Sequence, residues 1–272
     1  MKIFGVDFTS APSHKKTITC LETRLDNGTL SVGVLNQFTD FVQFEAFLHR
    51  PGPWVAGFDF PFGQPRKLIQ NLRWPNTWAG YVQHIAQMGQ HNFEQTITTY
   101  RNSRPTGDKH HLRTIDAQAK AISPMMLHGV PVGKMFYQGA PRLLFSGVSI
   151  QPCHPIGDNR IALEVYPALV ARKWLGQQSY KNDSSKKQTP EQKAARQTLL
   201  DALCSPALKK HYGLTLHLSD TLAAQLVQDP TADSLDALLC AIQAAWACTQ
   251  PNFGIPPNCD PLEGWIIDPG LA

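Results

Sequence analysis

The sequence predicts an α/β fold: a mixed sheet flanked by helices, with a mainly helical insertion over residues 64–147. Three observations carry the prediction. The N-terminal segments alternate in strand fashion around an Asn-Gly turn. Later, apolar strand segments are followed by helix-spaced ones. Between the two, residues 64–147 show no strand alternation. The 272 residues are enough for one large domain, here expected to span 1–272. A hydrophobic content of 42% excludes a disordered chain.

The elements follow in order. Residues 2–8 alternate and are β-rich, and residues 17–24 and 30–37 give two further strands. Asp26-Asn27-Gly28 joins the latter pair, because Asn-Gly tolerates the positive φ of a tight hairpin. Thr39 is placed to cap a helix carrying Phe41, Val42, Phe44, Phe47 and Leu48, and Pro51-Gly52-Pro53 stops it. Residues 54–60 form a near-continuous apolar run, the pattern of a strand covered on both faces. In the insertion, residues 78–88, 93–100 and 132–145 read as helices, the last despite Gly139 and Pro141, and 101–113 as a polar basic loop. A strand at 161–165 precedes a helix at 167–175 and a polar linker at 177–188. Helices follow at 191–204, around 221–228 and at 231–249, and 263–267 reads as an edge strand.

No apolar run approaches the roughly 18 residues that cross a bilayer, so no membrane partner is expected. The start, Met1-Lys2-Ile3-Phe4, lacks a signal-peptide pattern. Six cysteines are scattered without a C-x-x-C spacing, which argues against a zinc ribbon and for reduced thiols in a cytoplasmic protein. The net charge of +4 is uneven. Residues 101–211 hold 17 Lys+Arg against 7 Asp+Glu, and the remainder 8 against 14. An acidic frame around a basic middle suits an anionic substrate brought to carboxylate-bound metal.

Carboxylates stand where strands end. Asp7 closes the first strand, Asp59 the apolar one, and Glu164 lies in Ala162-Leu163-Glu164-Val165. Asp233 and Asp236 share a face near the start of the last helix, beside the apolar stripe of Leu235, Leu239 and Ile242. Buried carboxylates are rare unless paired or metal-bound. Side by side, these strands would cluster like charges, which a hard divalent cation, Mg²⁺ or Mn²⁺, relieves. Each acid also has a plainer role. Asp7 and Asp59 suit turns, Glu164 a buried arginine such as Arg160, and the helix acids the positive end of the dipole.

Gly5-Val6-Asp7-Phe8-Thr9-Ser10 resembles the first strand of ribonuclease H-like nucleases, and Asp233-Ser234-Leu235-Asp236-Ala237-Leu238 the last-helix motif of Holliday-junction resolvases. Gly57-Phe58-Asp59-Phe60-Pro61-Phe62-Gly63, Leu163-Glu164-Val165-Tyr166-Pro167 and Glu263-Gly264-Trp265-Ile266 are similar to one group in that superfamily, the predicted nucleases of domain of unknown function 429. Arg113-Thr114-Ile115-Asp116, Ser123-Pro124-Met125-Met126 and Val132-Gly133-Lys134-Met135-Phe136 also look like this family. The resemblance runs from Ile3 to Ile267 and implies a ribonuclease H-like core with a metal site, but no substrate. The long helical insertion departs from the usual superfamily pattern and leaves Asp59 and Glu164 as rival ligands.

The expected activity is therefore metal-dependent hydrolysis of phosphodiester bonds in a nucleic acid. Its catalytic acids would be Asp7, Asp59, Glu164, Asp233 and Asp236, with Asp7, Asp59, Glu164 and Asp236 as metal ligands. Arg101, Arg104, Lys109 and Arg113 in the basic loop, and Lys134, would meet the substrate backbone. His110-His111 is a poor metal pair, because adjacent side chains diverge. Lys134 has no Gly-x-x-x-x-Gly-Lys-Ser/Thr pattern, which excludes a P-loop. Two other classes remain: an actin-like phosphotransferase, which needs a second such domain and a glycine-rich adenosine loop absent here, and a non-catalytic binding protein with vestigial acids.

Overall fold

The computed structural model describes residues 1–182 and 184–272, so Asp183 of the expected linker lies outside the described residues. The chain begins β1 (Lys2–Asp7), β2 (Ile18–Asp26), β3 (Thr29–Phe38), α1 (Phe41–Leu48) and β4 (Trp54–Phe58). Five helices follow without a described strand: α2 (Arg66–Asn71), α3 (Trp78–Met88), α4 (Gln90–Asn102), α5 (Thr114–Ala119) and α6 (Val132–Ser146). Then come β5 (Ser149–Gln151), β6 (Arg160–Val165), α7 (Pro167–Leu175), α8 (Pro190–Leu203), α9 (Pro206–Tyr212) and β7 (Thr215–His217). The chain closes with α10 (Asp220–Gln228), α11 (Asp233–Ala247) and β8 (Ile266–Ile267).

One mixed sheet runs β5-β6-β4-β1-β2-β3-β7, with β8 also beside β6. β2 is antiparallel to β1 and β3, whereas β4 is parallel to β1 and β6 to β4. The β2–β3 hairpin turns on Asn27 and Gly28 at φ 46° and 77°, the two positive angles a two-residue hairpin loop needs. Helices cover both faces. Ile3, Val55, Leu163 and Val165 pack with α7 to α11 on one face. Phe4, Val6, Trp54, Ala56 and Phe58 pack with α1, α3, α4 and α6 on the other.

Several details differ from the sequence expectation. The cap of α1 is Asp40, not Thr39, and its side chain accepts from the Gln43 amide at 2.9 Å. Val42 is 76% exposed, because the helix buries the face of Phe44, Phe47 and Leu48. The expected edge strand at 263–267 shortens to β8, which is buried beside the end of β6. β5, β7 and α9 were not anticipated, being too short to establish a period.

Candidate functional site

Period-two alternation turns Ile3, Gly5 and Asp7 of β1 toward α11, and likewise Val55, Gly57 and then Asp59 from β4. Glycine is required at both middle positions. A Cβ on Gly5 would lie 1.9 Å from the Ala237 carbonyl oxygen, and one on Gly57 2.7 Å from that of Cys240. The backbone of α11 therefore rests directly on the two strands. The Asp59 amide donates to the Val6 carbonyl at 3.0 Å, so the strands stay paired to their acidic ends.

This seating brings Asp236, fully buried on α11, against Asp7 and Asp59. Capping of α11 falls to Asp229, which accepts from the amides of Thr231 and Ser234, both at 3.1 Å. Asp233 and Asp236 are thereby free for other partners. Asp233 lies 4.0 Å from the Lys16 ammonium. Asp236 accepts from the Tyr180 hydroxyl at 2.6 Å through one oxygen and from the Lys181 ammonium through the other. The carboxylates of Asp7 and Asp59 make no hydrogen bond or ion pair among the described residues.

The electrostatics follow. Burial and then the charge of Asp236 push the Asp7 carboxyl well above the usual carboxylate range, against the pull of Lys181. The same causes raise Asp59 to about 7. Burial also raises Asp233, opposed by Lys16. Burial works against the charge on Lys181, but Asp236 and Asp7 outweigh it and hold the ammonium above its ordinary range.

Glu164 shares a pocket with Asp59 and its charge helps to raise that carboxyl, but its hydrogen bonds belong to a second network. β6 pairs it with Phe58, so alternation turns it away from α11. Its oxygens accept from Arg113 at 2.5 and 2.8 Å and from the Phe62 amide at 2.8 Å. Burial raises its carboxyl, while Arg113 pulls it down. Arg113 uses every guanidinium N–H, on Glu164, Asp116 and the Glu263 carbonyl. The Glu263 carboxylate accepts in turn from the amides of Arg66 and Thr114. The family-like segments around 113, 164 and 263 thus converge on one buried ion network. Arg160 pairs with Asp158, not with Glu164.

The expected substrate-binding cations are dispersed by this arrangement. Arg113 is buried and saturated, which corrects its expected role as a solvated backbone contact. Arg104 pairs with Asp108 and lies over the Tyr100 ring, and Lys134 pairs with Glu94 at 3.1 Å. Arg101 and Lys109 make no side-chain ion pair among the described residues. The cations beside the acids are instead Lys16, from the β1–β2 loop, and Lys181, from the linker after α7. Sequence reasoning missed Lys181. The one available signal was Tyr180, a lone aromatic in a polar stretch, which is only 9% exposed.

Among the described residues, no three His, Cys, Asp or Glu side chains are grouped so as to hold a metal. A pocket of about 130 Å³ opens beside the cluster, lined by Asp59, Glu164 and apolar side chains. No described helix is long and apolar enough to cross a membrane.

The profile of a family described as "Protein of unknown function (DUF429)" matches residues 5–256. No curated protein and no solved structure matches the chain.

Proposed function

The chain belongs to the DUF429 family of proteins of unknown function, and we propose that it is a divalent-cation-dependent nuclease with a ribonuclease H-like core. The strand order β3-β2-β1-β4-β6, with β2 alone antiparallel within it, supports the core assignment. The observation that carries the activity is the pair Asp7 and Asp59. Both are carboxylates at the ends of adjacent parallel strands, both are raised by burial and by Asp236, and neither carboxylate has a hydrogen-bond or ion-pair partner among the described residues. The donor set is hard oxygen throughout, which fits Mg²⁺ or Mn²⁺. Asp7, Asp59 and Asp236 would hold the ion, with Asp233 at its outer side, once Lys181 gives up Asp236 and the three carboxylates draw closer than they stand here. Bound there, the cation supplies water activation and neutralises charge on the phosphate.

The chain's own residues account for the rest. Asp59, raised to about 7 without a cation, would give up its proton on holding one, which makes cation binding strengthen with rising pH. Lys16 and Lys181 set positive charge at the rim, where a phosphodiester backbone arrives. Glu164 is a positioning residue, since with Arg113 it fixes the loop that follows Asp59. Arg101 and Lys109 lie in a separate basic loop and would add only salt-dependent affinity.

The test is a panel of labelled single-stranded, duplex, hybrid and four-way nucleic acids with Mg²⁺ or Mn²⁺. Cleavage is expected, and it should disappear with chelator and in Asp7→Asn. Purified protein that neither cuts nor binds any member at low salt would overturn the reading. One observation favours a non-catalytic role: Lys181 already neutralises Asp236. Under that reading, Mn²⁺ leaves the melting temperature unchanged.

A further inference from the structure

The pocket beside Asp59 has a chemistry unlike the acidic cluster it adjoins. Its walls are Phe60, Ile122, Val130, Met135 and Tyr166. Ile122 and Val130 are 40% and 55% exposed, so an apolar rim faces solvent. The Arg113 guanidinium in its polar floor is closed to new partners, because every donor is committed to Glu164, Asp116 and Glu263. At about 130 Å³ it is smaller than the roughly 150 Å³ cavities that enclose one benzene ring, but it is open at its mouth, so a larger flat ring would enter in part and rest on the rim. Asp59 borders both the pocket and the acids, and Lys16 and Lys181 meet Asp233 and Asp236 of the same cluster.

A ligand spanning these features needs an anionic chain for the lysines and a flat apolar group one step away. A nucleotide has both. Resting on the nuclease reading, we propose that the pocket receives the unpaired base of the nucleotide next to the bond being cut, so that the substrate class is single-stranded or locally unpaired nucleic acid. A base stacked within a duplex cannot enter. Arg113 has no donor left for a base edge, so contact with the apolar walls supplies the binding.

The test is equilibrium binding by fluorescence anisotropy, using the full chain carrying Asp7→Asn to prevent cleavage. The probes are a short labelled single strand, the same length of strand built wholly of abasic units, and the corresponding duplex. The base-bearing strand should bind roughly tenfold tighter than the abasic one, the scale of one base contact. Val130→Gln and Ile122→Gln, both neutral and on the exposed rim, should each erase most of that difference while leaving abasic binding and the melting temperature unchanged. Equal affinity for base-bearing and abasic strands overturns the proposal, as does binding to no strand at all, or a loss in both variants that is the same for both strands. The nuclease reading is decided separately. Cleavage without base dependence sinks only the pocket assignment, and base-dependent binding without cleavage in the unmutated chain sinks only the nuclease assignment.

Discussion

The Lys181 ammonium lies on the carboxylate of Asp236, reaching the acidic cluster from a polar linker rather than from the sheet or the helix that supports it. Its side chain stays 40% exposed while Asp236 is fully buried. Removing a partner from a buried pair costs about 3–5 kcal/mol, and less when one member keeps access to water. Lys181→Met is therefore expected to destabilise the protein by about 1–3 kcal/mol. Mn²⁺ should then raise the melting temperature of the variant more than that of the wild type. Equal shifts in the two proteins would mean that Lys181 does not stand where a cation acts.

The cluster makes stability fall with rising pH. Asp7 and Asp59 have folded-state values above their unfolded ones, so the native state binds more protons between them. Stability from this source is present below about pH 4 and is lost as pH rises through the folded value of Asp59, about 7. Denaturant unfolding without divalent cation should show Asp59→Asn gaining on the wild type between pH 5 and about pH 8, by up to a few kcal/mol at ~1.4 kcal/mol per unit. A constant difference across that range would contradict the assignment.

The two acidic networks should separate under mutation. Glu164→Gln leaves Arg113 short of a charge within the buried network, and the expected loss is about 2–4 kcal/mol. Any Mn²⁺-induced rise in melting temperature should persist in it. Asp59→Asn should abolish that rise. The comparison is made in one set of thermal melts with and without Mn²⁺. A Glu164→Gln protein that no longer responds to the cation would return Glu164 to the ligand set.

Gly5→Ala tests the seat of α11. The added methyl meets the Ala237 carbonyl at 1.9 Å, a contact that only backbone displacement relieves. Overpacking of this kind costs about 1–3 kcal/mol or more. Urea titration should show at least that loss. Gly89→Ala, where a Cβ meets nothing within 4 Å but φ is 80°, provides a comparison for strain without collision.

Much of this arrangement was legible in the sequence. Asp7 and Asp59 stood at strand ends because β1 and β4 are continuous enough to show their limits. Asp233 and Asp236 were placed by helical spacing. The approach of Asp7, Asp59 and Asp236 was expected, but the pairing of Glu164 with Arg113 was not. That depends on register: one residue decides which face of β6 a side chain takes, and Phe58–Glu164 pairing is a tertiary fact. Arg113 looked like part of a solvated basic loop because its three acidic or carbonyl partners come from its own helix and from positions 164 and 263. Composition counts charges and does not say which of them are already matched. Lys181 was hidden for the same reason, in a stretch whose neighbours are ordinary surface lysines and serines.

The seating of α11 on β1 also fixes when the site exists. Asp7 is made more than two hundred residues before Asp236, and glycine-to-backbone contact is what joins them. During synthesis, the early strands can pair as hairpin and sheet while the acidic ends of β1 and β4 still lack the helix that confronts them. A nascent chain halted before α11 emerges therefore carries two of the acids without the third. Whatever chemistry the cluster performs is withheld until translation has passed residue 236, so partly made chains are silent rather than weakly active.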